Sequence, residues 1–147
     1  MKFNFLIPFL FFGVLVFAGA NSATDNLNML TAGSSKKWKI THYLLNGYQL
    51  DAFKCLENNA EFEFSVNQTL RKKHTCNPDS QLVILNDTFS VTADELQIGA
   101  EKFQIVEITN TYLRIKKTTI VTVTGSEILK IENAEKTAEM EIIFESI

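Results

Sequence analysis

Two cysteines and two histidines are the residues of this chain with the widest chemical range. Cys55 and Cys76 are separated by twenty residues, His74 stands two positions before Cys76, and His42 lies alone upstream. Two Cys and two His match the stoichiometry of a structural zinc site. Such sites pair their ligands closely, as C-x2–4-C and H-x3–5-H, whereas His74-x-Cys76 is the only close pair here. A redox couple would normally read C-x-x-C. A disulfide between Cys55 and Cys76 suits a chain that leaves the cytosol. It is the favoured reading, with metal ligation and two free thiols behind it. Closing a loop of that length corresponds to about 3 kcal/mol in the chain-entropy account.

Other chemistry is thin. Glu61/Glu63 and Glu139/Glu141 each place two carboxylates at strand spacing, as a glycosidase pair would need. Each pair alternates with strongly apolar residues, which turns the carboxylates outward into solvent. "RKKH" (71–74) is the densest basic run, but a nucleic-acid face needs basic groups interleaved with stacking aromatics over a wider area. Its expected role is a solvated strand face. No Gly-rich phosphate loop, G-x-S-x-G elbow or H-E-x-x-H appears. The expectation is a protein that is not an enzyme, carries no cofactor or metal and binds no nucleic acid.

The N-terminus reads as a secretory signal. Lys2 precedes an apolar run from Phe3 to Phe17, and Ala18-Gly19-Ala20 supplies an A-x-A-like cleavage site. The alternative, an uncleaved anchor, would need about 20 apolar residues, and Pro8 interrupts this shorter run. A lipoprotein signal would put Cys after the small residues, where Asn21 stands. Residues 1–20 are therefore expected to be removed, leaving a secreted or periplasmic chain with no stable membrane anchor. The remainder carries thirteen Lys and Arg against seventeen Asp and Glu, a net −4. An acidic chain of this kind is a poor generic partner for nucleic acid or anionic lipid.

These residues must be positioned by strands. After a polar stretch, 21–35, expected to be a flexible leader with one helical turn around Leu27–Leu30, a two-residue period takes over. It runs through 38–45, 60–66, 69–75, 82–91, 95–99, 102–109, 112–118, 120–125 and 137–145, with Asn, Asp and Gly in the breaks. β-branched and aromatic residues on this period mark half-buried strands. Eight or nine short strands predict one all-β domain over 36–147, an antiparallel barrel or bent sandwich. An OB-fold, with five strands, is the fold-level rival. Residues 127–136 are read as strand or loop. Between the cysteines, a hairpin turning at Val66-Asn67-Gln68 would set Phe64 opposite Leu70, Glu63 opposite Arg71 and Glu61 opposite Lys73. That register pairs opposite charges on the outer face.

The chain resembles the bacterial lipocalin-like domain proteins, small exported calycin-type barrels common in Bacteroidetes. The resemblance is carried by "SSKKWKI", by "CLENNAEFEF", by the turn "NQT" before a strand running to the second Cys, and by "IVEITNTYLRI" (105–115). Relatives commonly carry Gly where Gln68 stands. The resemblance implies a small antiparallel β-barrel of about eight strands with a pocket. Trp38, Phe62, Phe64, Phe89, Phe103 and Phe144 lie on different strands, where they would either line such a pocket or fill it. His42 shares the face of Trp38 and Ile40 and joins that set if the alternation holds. Two functions follow. One is a binder of a small apolar or amphipathic molecule; the other is a structural or interaction module of the cell envelope with a filled core.

Overall fold

The computed structural model describes residues 21–50, 60–75, 82–123 and 134–147. The leader 1–20, the Cys55–Cys76 pairing and all but the last three residues of 127–136 lie outside the described residues. The elements are α1 (Ala23–Thr31), β1 (Ser35–Leu45), β2 (Tyr48–Gln49), β3 (Ala60–Ser65), β4 (Thr69–His74), β5 (Val83–Val91), β6 (Glu95–Ile98), β7 (Glu101–Ile108), β8 (Tyr112–Val123) and β9 (Ala134–Ser146). Every ladder is antiparallel. The order runs β1-β3-β4-β5-β6-β7-β8-β9, and β9 pairs back onto β1. The expected all-β architecture is thus a closed barrel of eight strands. The short β2 only prolongs β1 through an Asn46-Gly47 turn in which both residues have positive φ, at 50° and 81°. That is the turn geometry whose twist matches a two-residue hairpin.

One end of the barrel, called the upper end below, gathers the start of β1 and the β3–β4, β5–β6 and β7–β8 turns. The stretch expected to be a flexible leader is instead a helix docked over this end. Ser22 caps it, accepting from the Asp25 backbone N–H, while Asp25 accepts from the Ser22 N–H. This S-x-x-D capping box satisfies two helix-end donors at once. The Ser22 bonds hold the Asp25 carboxyl below the usual carboxylate range. Asn26, Leu30 and Thr31 fall on one face at helical spacing, and all three are fully buried. Asn26 Nδ2 donates to the backbone oxygens of Thr92 (2.8 Å) and Ala93 (3.1 Å), tying the helix to the β5–β6 turn.

The β3–β4 hairpin takes the expected register, with Phe64 opposite Leu70, Glu63 opposite Arg71 and Glu61 opposite Lys73. Its turn closes with the Gln68 N–H on the Ser65 carbonyl, while Asn67 Oδ1 accepts from Thr69. Gln68 sits at φ 63°, the left-handed position that a three-residue hairpin loop reserves for Gly. Changing Gln68 to Gly is expected to raise stability by about 0.5–1 kcal/mol, seen as a higher urea midpoint. A lowered midpoint would mean the side chain compensates its own strain.

Two expectations about strands need correction. Residues 112–118 and 120–125 are not separate strands. Thr118-Thr119 holds no turn residue, and β8 pairs with β9 without a break from Tyr112↔Glu145 to Val123↔Ala134. Within β1 the alternation fails. Thr41 is an extra residue in the ladder with β9, where Ile40 faces Phe144 and His42 faces Ile143. Such a bulge re-aims every side chain after it. His42 therefore lies on the exposed outer face, its Nδ1 3.3 Å from Thr41 Oγ1, and Tyr43 takes the inward position.

Candidate functional site

The barrel interior divides into a filled half and a hollow half. The upper half is packed solid. Trp38 and Phe64 are fully buried, and Phe89 is 3% exposed. The Phe64 and Phe89 rings meet edge to face at 5.0 Å. Trp38 Nε1 donates to the Leu30 carbonyl at 2.9 Å, and the Lys36 ammonium stands 4.8 Å from its ring. These three aromatics, candidates for lining a pocket, are core.

Below them lies a cavity of about 320 Å³, at the lower end of the roughly 300–1,000 Å³ of small-molecule sites. Phe62, Phe103 and Phe144 wall it, as the sequence allowed; Ile40, Ile115 and Ile142 complete the apolar floor. Phe62 meets Phe144 edge to face at 5.3 Å, a spacing that aromatic pairs prefer. The expected pocket set therefore splits. Three of its aromatics line the cavity, three fill the core, and His42 is turned outside by the bulge.

The mouth is shaped by a short hairpin. β6 pairs with β5 only over Phe89–Val91, and β7 pairs with β8 only as far as Lys116. Among the described residues, Val83–Asp87 of β5 and Thr118–Val123 of β8 have no ladder partner on the sides that face this gap. Among the described residues the wall is thus continuous around the upper half of the barrel and interrupted below it, between β5 and β8. The tight turn at the top of the gap depends on Gly99. Its φ is 55°, and a Cβ there would come within 2.8 Å of Asp87 Oδ2.

Polar groups ring this mouth, and reading the strands by alternation missed most of them. Tyr43, Lys72, Asp87 and Glu101 all face the cavity, together with Leu85 and Ile98. The "RKKH" run is not a uniformly solvated face: Arg71 and Lys73 oppose Glu63 and Glu61 outside, and Lys72 turns inward with its Nζ 5.4 Å from the Phe62 ring. Its place two residues after inward Leu70 was the available signal. Burial pushes the Lys72 amine below its ordinary pKa. Burial, then the charge of Glu101, pushes the Tyr43 phenol up; its hydroxyl donates to Met140 Sδ. These shifts reflect an apolar cavity withholding water from polar groups. Glu101 is itself held by Lys117, whose ammonium lies 5.1 Å from the Phe103 ring.

The remaining carboxylate candidates lie on the outer wall. Glu61 receives Lys37 at 3.5 Å and Glu139 receives Lys116 at 3.0 Å. Glu141 departs from the expected solvated position. It is 8% exposed and accepts from Arg114 at 2.8 Å, and this bond keeps the guanidinium pKa above its ordinary value. A larger, open groove of about 740 Å³ crosses β6–β8, but its cations Lys102, Lys116 and Lys117 each already hold a Glu. Among the described residues no three His, Cys, Asp or Glu side chains cluster as a metal site, and no helix is long and apolar enough to cross a membrane.

Compared with known proteins, the chain matches no family model, no curated protein and no solved structure.

Proposed function

We propose that the chain is an exported, non-enzymatic, lipocalin-like binding protein that holds a small apolar or amphipathic molecule in the open half of its barrel. The observation that carries this reading is the cavity of about 320 Å³ walled by Phe62, Phe103 and Phe144, with polar groups confined to its mouth. A filled-core interaction module would use the same barrel without this space, so the hollow favours the binder. Export rests on the charged and apolar leader followed by Ala18-Gly19-Ala20.

At about 30 Å³ per water-sized group, the cavity takes on the order of ten non-hydrogen atoms. Decanol, a guest of this size, is expected to bind one molecule per chain in a calorimetric titration. Changing Ile98 to Trp at the mouth fills the space from a half-buried position. That variant is expected to weaken decanol binding at least tenfold, about 1.4 kcal/mol, with an unchanged circular dichroism spectrum. Equal binding by both proteins would remove the cavity from consideration.

A further inference from the structure

We infer that the molecule held in this cavity carries one anionic head, of the carboxylate class, on its apolar body, and that Lys72 is the residue that selects it. The inference rests on the cavity being the binding site proposed above.

Lys72 differs from the other cations near it. Lys37, Lys102, Lys116, Lys117 and Arg114 each hold a Glu carboxylate. Lys72 is half-buried, and among the described residues no carboxylate lies within ion-pair distance of it. Among the described residues its ammonium instead lies over the Phe62 ring. A lysine on a strand normally extends its head into water; this one points along the apolar wall. An ammonium that gives up water without gaining a counter-charge bears a desolvation cost, and an incoming anion offsets it.

Two carboxylates also face the cavity, and they bear on the sign of the ligand. Glu101 is already neutralised by Lys117. Asp87 is exposed, with one oxygen accepting from the Thr88 N–H at 2.8 Å. It keeps its hydration and so gains little from a cationic ligand. The Tyr43 hydroxyl is engaged with Met140 Sδ. Lys72 is therefore the charge whose environment improves most when a ligand arrives.

The test compares three probes of equal chain length at pH 7, decanoate, decanol and decylamine, each titrated into the protein calorimetrically. The wild-type chain is expected to bind decanoate about tenfold to a hundredfold more tightly than decanol, the range of a charge-assisted hydrogen bond. Lys72→Met is expected to abolish that preference, so that decanoate and decanol bind alike, and Lys72→Arg to restore it. The decanol arm and near-ultraviolet circular dichroism report that Lys72→Met still folds. Equal affinities for decanoate and decanol in the wild type, a preference that survives Lys72→Met, or tighter binding of decylamine would each overturn the inference while leaving the binding site standing. Failure of all three probes to bind would overturn the cavity reading as well.

Discussion

Changing Trp38 to alanine is expected to cost the fold about 3–5 kcal/mol. The residue is fully buried where the helix meets the barrel, so truncation opens a void that touches both. It also leaves the buried Leu30 carbonyl without the indole donor that reaches it at 2.9 Å. A domain of this size has about 5–15 kcal/mol in total, so the loss takes a large share. Trp38→Phe separates the two contributions. It restores much of the volume but still strands the carbonyl, for an expected loss of about 1–3 kcal/mol. Urea unfolding of both variants measures the difference. A loss below about 1 kcal/mol for Trp38→Ala would show that the helix does not depend on this contact.

Asn26→Asp is expected to be nearly as damaging at neutral pH and much milder in acid. The Asn26 amide donates to two backbone carbonyls and is fully buried. An ionised carboxylate there would face two acceptors with no donor to offer, at a cost of about 3–5 kcal/mol. Protonated, it can donate to one of them. Burial therefore raises the folded-state pKa of the new Asp above its unfolded value of about 3.9. Between those two values the folded state holds the extra proton, so stability relative to wild type falls as pH rises. Denaturant unfolding at pH 4 and pH 7.5, with wild type measured at each, should give a larger deficit at the higher pH. A deficit independent of pH would mean that the helix lifts off to leave the carboxylate in water.

Most of the barrel was legible because its strands alternate plainly. Phe62, Phe64 and their Glu neighbours fixed both the faces of β3 and the register of its hairpin. Phe144 and Ile142 likewise marked the inward face of β9. The docked helix was under-read because its residues are polar, although Ser22 and Asp25 form a capping box that the sequence displays. Its burial depends on Asn26 finding the Thr92 and Ala93 carbonyls, which lie 66 and 67 residues away along the chain. The bulge at Thr41 left no local mark, since it arises from the pairing of β1 with β9, and it alone turned His42 out and Tyr43 in. Whether the aromatics would fill the barrel or line a space is a question of volume, which residue types do not encode. Lys72 was hidden by charge: a basic residue between two others reads as surface until the strand's inward face is known.

The short β6–β7 hairpin bears on the speed of exchange. Many enclosed cavities admit a guest only when some part of the wall opens, so the host's own fluctuations limit how fast the guest comes and goes. Here, among the described residues, the β6–β7 part of the wall ends at Gly99, and its ladder with β8 at Lys116. Among the described residues no ladder joins β5 to β8 across the gap below Gly99. For the guest proposed above, the described strands need not separate to admit it, so exchange would be set by the contacts it makes inside rather than by breathing of these strands.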